Sequence, residues 1–265
     1  MQAEAEAAAP ATRAAEYIRI AGLSKRFGDV VALRDIGCRI EQGSFVSIVG
    51  PSGCGKSTLL RILAGLLDYT EGEVMLDGQP IHGTRRDVGV VFQSSILLPW
   101  RTILQNVMLP AEVLGLDLGA ARRRALQLLH LVGLDGFEDK LPRQLSGGMQ
   151  QRASIARALL HDPKILLMDE PFGALDALTR EHMNLELQRI WAESGKTVVL
   201  ITHSIPEAIF LGDTVLVMTP RPGTIAREIR VELPRPRSMH AMSDPAFARI
   251  ADEIRELFSH TGSFD

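Results

Sequence analysis

Nine consecutive residues between a short apolar run and a helical pattern have the types and spacing of a phosphate-binding loop. They are Gly50, Pro51, Ser52, Gly53, Cys54, Gly55, Lys56, Ser57 and Thr58; the first eight fit G-x-x-x-x-G-K-[ST] without a gap, and Thr58 follows directly. Glycines allow backbone N–H groups to point at phosphate oxygens, and the N-terminus of the following helix adds partial positive charge. The pattern predicts that Lys56 reaches the β- and γ-phosphates of a nucleotide and that Ser57 holds Mg²⁺.

A pair of carboxylates follows a second apolar run and is placed to complete a nucleotide and metal site. The run 165–168 is strand-like and leads into Asp169 and Glu170. A carboxylate at a strand end can ligate Mg²⁺ directly or through water, so Asp169 is the predicted metal ligand. Glu170 is placed to polarise a water molecule against the γ-phosphate. Two adjacent acids are weak evidence alone, but beside the phosphate loop they predict binding and hydrolysis of ATP with Mg²⁺.

The elements that must position these side chains alternate between strand and helix patterns from Tyr17 onward. Short apolar or alternating runs predict strands at 17–21, 45–49, 72–76, 88–92, 165–168, 198–201 and 215–218. Helical patterns cover 56–65, 117–132, 146–161 and 177–194. This order predicts an α/β chain in which the phosphate loop joins a buried strand to a helix.

The two ends of the chain have different patterns. Residues 1–15 are rich in Ala and Glu and have no apolar face, so we predict a disordered tail. The Pro- and Arg-rich stretch 234–237 is typical of a linker. After it, Asp244 and Pro245 predict the start of an amphipathic helix whose apolar face packs on the chain's own core or on a partner. That face consists of Phe247, Ile250, Ala251, Ile254, Leu257 and Phe258.

Composition and charge exclude several classes of protein. The chain has 265 residues, of which 46% are hydrophobic, and a formal net charge of −3, which argues against a disordered chain and against a domain that coats nucleic acid. We expect neither a membrane-spanning helix nor a secretory signal, because the required apolar runs are missing. Its only cysteines, Cys38 and Cys54, are too few for a disulfide scaffold or a zinc site. Cys54 is expected to fill space in the loop rather than to react.

A third motif gives the chain a family resemblance. Residues 145–152 read Leu-Ser-Gly-Gly-Met-Gln-Gln-Arg and lie one helix before the carboxylate pair. With all three motifs in this order, the chain from about 17 to 230 resembles the ATP-binding subunit of an ABC transporter. Ser146 is placed to cap a helix whose free N–H groups, beside Gly147 and Gly148, form a second anion site. The resemblance implies a head-to-tail homodimer enclosing two ATP molecules, in which each such site serves the other subunit's γ-phosphate.

The resemblance also implies a fold and its division. The expected class is α/β, a P-loop NTPase of the ABC type, with a RecA-like α/β core and an antiparallel β subdomain. A helical subdomain carries the third motif, residues 145–152, which is called the signature below. The expected ranges are 1–15 for the tail, 16–235 for the ATP-binding domain, about 94–160 for its helical subdomain and 236–265 for a C-terminal amphipathic helix extension. From the length, we expect no additional C-terminal regulatory domain of the kind found in longer importer ATPases.

Single residues take roles from the resemblance. Gln93 corresponds to the Q-loop glutamine that senses Mg²⁺ and the attacking water, and Asp176 to the D-loop aspartate at the dimer interface. His203 corresponds to the switch histidine on the γ-phosphate and Phe27 to the aromatic that stacks on adenine. Taken alone, a histidine such as His203 is more often structural, and Phe27 fits a core position equally well. The implied catalytic set is Lys56, Gln93, Glu170 and His203. The implied metal ligands are Ser57, Gln93 and Asp169, and the nucleotide-binding set adds Phe27, Ser146, Gly147, Gly148 and Asp176 to the phosphate loop.

Two short segments narrow the resemblance to importers of the nitrate, sulfonate and taurine group. They are 97–102 (LLPWRT) and 219–223 (TPRPG). The residues 97–100 form either a core turn or a partly exposed apolar patch that receives a helix of a membrane subunit.

The resemblance implies partners and a location as well. The partners are two transmembrane permease subunits and, indirectly, an extracytoplasmic solute-binding protein, with no nucleic acid. The location is peripheral, at the cytoplasmic face of the cell membrane. The alternatives are the ATPase of an exporter or lipid-extracting transporter, and a non-transport ABC ATPase acting on nucleic acid or ribosomes.

Overall fold

The computed structural model describes residues 16–173 and 175–260, so the tail predicted at 1–15 lies outside the described residues. The strands of the described part are β1 (Glu16–Phe27), β2 (Val30–Glu41), β3 (Phe45–Val49), β4 (Glu71–Leu76), β5 (Gln79–Pro80), β6 (Val88–Val91), β7 (Ile165–Asp169), β8 (Thr197–Ile201), β9 (Thr214–Met218) and β10 (Ile225–Arg230). Its α-helices are α1 (Lys56–Leu63), α2 (Ile103–Leu114), α3 (Leu118–Leu131), α4 (Gly147–Leu159), α5 (Ala177–Ser194), α6 (Ile205–Leu211) and α7 (Pro245–His260). None of these helices is long and apolar enough to cross a bilayer.

Two sheets organise the fold. The larger has the strand order β10-β9-β3-β8-β7-β6, in which β10 runs antiparallel to β9 and the other neighbours are parallel. Strand β3 is central, with Ser47 opposite Leu200 of β8 on one side and Val215 of β9 on the other. The smaller sheet is antiparallel, with order β2-β1-β4-β5. Because the carboxyl ends of parallel strands meet at one edge, the residues that follow β3, β6, β7 and β8 come together there.

The larger sheet separates two hydrophobic cores. Successive side chains of a strand point to opposite faces. In β8, Val198 and Leu200 therefore pack in the core that contains helices α2 to α7, whereas Val199 and Ile201 pack in the core that contains α1 and the smaller sheet. Strands buried on both faces read as continuous apolar runs, which is why the sequence predicts β3, β7 and β8 close to their observed bounds.

Helix α2 was not predicted, although it starts with a capping box. The Thr102 hydroxyl accepts from the backbone N–H of Gln105, and the Gln105 side chain accepts from the N–H of Thr102. One turn later the buried Asn106 donates to the carbonyl oxygens of Leu98 and Arg101 and accepts from the Leu98 N–H. The start of α2 therefore fixes the shape of the loop that precedes it.

The prediction of a linker at 234–237 is wrong. Arg237 is only 2% exposed, and its guanidinium donates to five carbonyl oxygens at the end of α6 and in the segment after β10. These acceptors belong to Ile209, Phe210, Gly212, Val231 and Leu233. A cation at a helix C-terminus satisfies carbonyls that lack an intrahelical donor. The stretch is thus a packed connection rather than a free spacer.

Arg235 fixes the same stretch to the larger sheet. Its guanidinium pairs with Asp213 at 2.7 Å and lies 4.2 Å from the ring centroid of Trp191. The other Asp213 oxygen accepts from the backbone N–H of Phe45 at the start of β3. The following helix, α7, packs on the chain's own core, with Phe247 and Ala251 among its buried residues. This confirms the first of the two alternatives for that helix.

Candidate functional site

Strand β3 and helix α1 hold the phosphate loop between them. Helix α1 begins at Lys56, and its N-cap, Gly55, has φ 107°, a backbone angle that side chains rarely adopt. A Cβ atom on Gly55 would also lie 2.6 Å from Cδ2 of Leu33. Cys54 is buried in the loop, and burial raises the pKa of its thiol. A buried, protonated thiol fits the predicted role of a space-filling residue.

The ammonium group of Lys56 lies inside the loop. Lys56 is 6% exposed, and its Nζ donates to the carbonyl oxygens of Gly50 at 2.7 Å and Pro51 at 3.0 Å. In the described ranges no carboxylate lies within the 4.0 Å that defines an ion pair with it. Burying an ammonium without a counter-charge is unfavourable. A phosphate group entering the loop would supply that charge, so the loop fits an anionic ligand.

Two oxygen-bearing side chains meet beside the loop. The Ser57 hydroxyl donates to Oδ1 of Asp169, the last residue of β7, at 3.0 Å. Burial raises the pKa of Asp169, which Ser57 opposes and the charge of Glu170 reinforces. A hydroxyl and a carboxylate suit Mg²⁺. Among the described residues no cluster of three His, Cys, Asp or Glu side chains could hold a metal alone, so phosphate oxygens would have to complete the coordination.

Side chains from three strand ends meet at one carboxylate. Gln93 follows β6, Glu170 follows β7 and His203 follows β8. Gln93 Nε2 donates to Glu170 Oε2 at 3.0 Å, and His203 Nδ1 lies 3.4 Å from the same oxygen. Glu170 has φ 46°, a strained angle for a residue with a side chain, and its N–H donates to the Ile201 carbonyl at 2.9 Å. This arrangement can hold a carboxylate in place to accept a proton from water.

The signature residues form a separate helix N-terminus. The Ser146 hydroxyl accepts from the N–H of Met149 at 3.3 Å and caps α4, whose first two residues are Gly147 and Gly148. Within the part of the chain that the structure describes, no hydrogen bond or ion pair joins these residues to the phosphate loop. The chain therefore has two distinct places at which backbone N–H groups could bind an anion.

Helix α4 also contacts the segment after β6. Gln151 Nε2 donates to the carbonyl of Phe92 at 2.9 Å, and the Arg157 guanidinium donates to those of Ser95 at 3.0 Å and Ile96 at 2.8 Å. These two side chains position the backbone on either side of Gln93, a role that the sequence analysis did not assign. For Gln151 the sequence offers one signal, the Gln-Gln-Arg run at 150–152, whereas nothing local indicates the contacts of Arg157.

The remaining predicted residues lie apart from these contacts. Asp176 is exposed and caps α5, and the hydrogen bond from the N–H of Thr179 lowers its pKa. Phe27 ends β1 and is 49% exposed, with the Lys25 ammonium 4.9 Å from its ring centroid, so it is not a core residue. Its ring can be reached from solvent. Of the loop residues, Ser52 is exposed and Thr58 is half-buried in α1.

Comparisons with known proteins agree with this geometry. A family model described as ABC transporter matches residues 33–173. A taurine import ATP-binding protein of Rhizobium johnstonii is 47% identical over 244 residues, which are 89% of this chain and 92% of that protein. The chain belongs to the ABC transporter family. The resemblance found in the motifs is therefore confirmed.

Further relatives of this ABC protein cover a similar share of the chain. An uncharacterized ABC transporter ATP-binding protein of Methanocaldococcus jannaschii is 49% identical over 224 residues, 83% of this chain and 84% of that protein. An aliphatic sulfonates import ATP-binding protein of Bacillus cereus is 43% identical over 239 residues, 90% and 93% of the two chains. A dimeric ATP-binding cassette solved in a post-hydrolysis state with ADP and Pi has a TM-score of 0.75 and 37% identity, over 82% of this chain and 99% of that one.

The predicted fold class and enzyme class are confirmed by these matches. The chain has the fold of an ABC ATPase cassette, in which an antiparallel sheet and a mainly parallel sheet accompany the helices. It is an ABC-type ATPase. The loop fits ATP because Lys56 has no ion-pair partner among residues 16–173 and 175–260, and Ser57 and Asp169 would hold Mg²⁺.

A buried acid of this ABC ATPase lies four residues after His203 in the chain. Glu207 of α6 is buried, and its Oε1 has no hydrogen-bond partner among the described residues. Burial raises its pKa, and a hydrogen bond from Thr202 and the positive charge of Arg180 oppose the rise. Nothing local in the sequence distinguishes this residue, because a lone glutamate in a helix is usually exposed.

Replacing Glu207 by glutamine should stabilise the protein at high pH. Because the folded-state pKa lies above the ordinary value of 4.5, burying the charged form destabilises the native state at high pH, and this penalty disappears as the pH falls below 4.5. We therefore expect a higher Tm for E207Q than for the parent at pH 8 and a smaller difference at pH 5. Each kcal/mol gained in the free energy of unfolding should raise Tm by about 2–4 °C. Thermal unfolding at both pH values measures it. An equal gain at both would show that Glu207 does not titrate in this way.

Proposed function

We propose that the chain is the ATP-binding and ATP-hydrolysing subunit of an importer for a small anion or organic solute such as nitrate, a sulfonate or taurine. The observation that carries this proposal is the pair of import-protein relatives, which match 89% and 90% of this chain at 47% and 43% identity. The segments 97–102 and 219–223 support the same group. The solute itself would be recognised by other subunits, because this chain supplies free energy rather than selectivity.

An exposed apolar surface supports a membrane partner. Trp100 is 74% exposed and Ile96 is 56% exposed, which is unusual for large apolar side chains close to each other in sequence. Both lie on the segment that follows Gln93, and Arg157 and Asn106 hold its two ends through backbone carbonyls. We propose that a cytoplasmic helix of a permease packs here. A shift of Gln93 on nucleotide binding would then move the permease contact.

Each residue of the site has a proposed part in hydrolysis. Lys56 exchanges its two backbone carbonyl contacts for the β- and γ-phosphates and stabilises their charge. Ser57 and Asp169 would hold Mg²⁺, which when bound would neutralise charge on the phosphate oxygens. Glu170 accepts the proton of the attacking water, and Gln93 and His203 keep its carboxylate in position. Phe27 offers its ring to adenine.

We propose that the active form is a head-to-tail homodimer. Ser146, Gly147 and Gly148 form an anion site that has no contact with the phosphate loop in the described ranges, so it is available to the γ-phosphate held by a second chain. Asp176 would lie at that interface. The solved cassette with ADP and Pi is itself described as dimeric. ATP would join the two chains, and hydrolysis would separate them.

The test is to purify the tagged chain from gently solubilised membranes and to identify the accompanying proteins by mass spectrometry. We expect two copies of a permease, or two related permeases, together with a solute-binding protein, as for a peripheral subunit on the cytoplasmic face of the membrane. Trp100→Ala should lose the permease, whereas Leu66→Ala, at another exposed apolar residue, should keep it.

Recovery of other proteins in this purification would change the proposed function. A permease without a solute-binding protein would favour an exporter or lipid-extracting transporter. Recovery with nucleic acid or ribosomes, and without a multi-span membrane protein, would overturn transport while leaving the ATPase assignment in place.

A further inference from the structure

The loop of residues 219–224, between β9 and β10, lies directly behind the phosphate loop. Its Arg221 guanidinium donates to the carbonyl oxygen of Gly53 at 3.2 Å. Its Gly223 packs so closely against the phosphate loop that a Cβ atom on this residue would lie 2.0 Å from the carbonyl oxygen of Cys54. Two successive carbonyl groups of the phosphate loop therefore face the 219–224 loop.

The 219–224 loop is itself tightly held. Thr219 and Thr224 are joined by a backbone hydrogen bond of 3.0 Å, and the Thr219 hydroxyl accepts from the Thr224 N–H at 2.9 Å. Gly223 donates to the carbonyl of Ala32 and accepts from the N–H of Arg34, each at 3.0 Å, which fixes the loop to β2. It can therefore act as a fixed support for whatever contacts it.

These contacts determine which way two peptide groups point. In a trans peptide the C=O and N–H bonds point to opposite sides of the chain. With the Gly53 carbonyl turned back to Arg221, the N–H of Cys54 is turned to the other side, where it lies 3.3 Å from the Pro51 carbonyl. Lys56 Nζ contacts that same carbonyl at 3.0 Å. The N–H group of Cys54 thus points to the same side of the loop as the Lys56 ammonium, where an anion would bind.

We propose that Arg221 is a positioning residue for nucleotide binding, which acts by holding the Gly53 carbonyl away from the loop interior so that the following N–H groups face the phosphates. Gly223 allows the carbonyl of the next peptide, that of Cys54, to point away from the loop interior as well, because only a residue without a side chain leaves room for it. The proposal rests on the nucleotide site proposed above. It assigns the Pro-Arg-Pro-Gly segment a role in affinity.

The proposal separates binding from chemistry. Loss of the Arg221 contact leaves Lys56, Asp169 and Glu170 unchanged, so the chemical step should be preserved while the loop spends more time with the Gly53 carbonyl turned inward. For Arg221→Ala we expect a 3- to 10-fold weaker affinity for MgATP, a matching rise in KM, and kcat within twofold of the parent. Arg221→Lys keeps the charge but not the planar donor group, and should recover part of the affinity.

A nucleotide-free readout tests the same contact. Cys54 is 1% exposed, so an alkylating reagent reaches its thiol only when the loop opens. In Arg221→Ala without nucleotide we expect severalfold faster alkylation of Cys54, followed by peptide mass spectrometry to separate it from Cys38. The matched control is Arg227→Ala, which removes another exposed arginine of the same hairpin, paired with Glu253 at 3.3 Å. This control should match the parent in affinity and in labelling.

The outcomes distinguish this inference from the site on which it rests. If Lys56→Ala binds nucleotide as the parent does, the phosphate-loop assignment itself fails. If Lys56→Ala loses binding while Arg221→Ala keeps parental KM and parental Cys54 labelling, only the positioning role is overturned. A fall in kcat with an unchanged KM in Arg221→Ala would also overturn it, since that result would place Arg221 in the chemical step.

Discussion

Glu170→Gln should lower kcat for ATP hydrolysis by a factor of about 10²–10³ and leave the affinity for MgATP within about threefold of the parent. Glutamine keeps the shape of the side chain and can still contact Gln93, whose Nε2 lies 3.0 Å from Glu170 Oε2. It cannot accept a proton from water. Lys56 and the Ser57–Asp169 pair, which are proposed to hold the nucleotide, are unaffected.

The same variant should accumulate as a dimer in MgATP. In the proposed homodimer, hydrolysis would reopen the two chains around ATP, so a variant that binds but does not hydrolyse should stay closed. Phosphate release and size-exclusion chromatography with and without MgATP measure the two effects. Glu73→Gln, at an exposed residue of β4 that pairs with Arg19 at 3.4 Å, is the matched control and should behave as the parent. Near-parental turnover in E170Q would remove Glu170 from the role of base.

Arg237→Met should destabilise the fold by about 3 kcal/mol, which lowers Tm by about 6–12 °C. Methionine fills much of the volume but donates no hydrogen bond, so the carbonyls of Ile209, Phe210 and Gly212 lose their donor at the end of α6. Burial lowers the pKa of Arg237 to about 10, which shows that burying this charge is itself unfavourable. Removing the charge therefore offsets part of the loss, and the expected value already includes this.

Chemical denaturation of the nucleotide-free chain measures the change. Arg237→Lys should be intermediate, because an ammonium group has three donors but not the flat geometry that reaches several carbonyls at once. Arg249→Met removes an exposed arginine of α7 and should change the free energy of unfolding by less than about 0.5 kcal/mol. Parental stability in Arg237→Met would mean that water replaces the guanidinium at these carbonyls.

The parts of the fold that could be predicted from sequence are those in which local pattern and final environment agree. Strand β3 is a run of five buried residues, and the phosphate loop that follows needs glycine for its backbone angle and its space. Helix α5 was predicted at 177–194 and is observed as Ala177–Ser194, because Asp176 caps one end and Gly195 ends the other.

The parts that could not be predicted depend on contacts between distant segments. Strand β2 has an alternating burial pattern, but its charged residues obscured the signal. Arg237 is far from α6 in sequence, and nothing local shows that an arginine after a proline will enter a core. Gln93, Glu170 and His203 were grouped in one catalytic set by the family resemblance, whereas the contact of Arg221 with Gly53 joins residues 168 positions apart and has no local signal.

The outermost strand of the larger sheet has a consequence for behaviour at high protein concentration. One edge strand of that sheet is β10, and its Arg227, Glu228 and Arg230 are exposed to solvent. A rim with unpaired backbone groups invites the addition of further strands, and charged side chains oppose it by electrostatic repulsion and by their hydration. The other edge strand, β6, has only four residues. Sheet-to-sheet growth into fibrils is therefore disfavoured, and concentrated samples should lose solubility through apolar surfaces such as that around Trp100 before they lose it through the sheet.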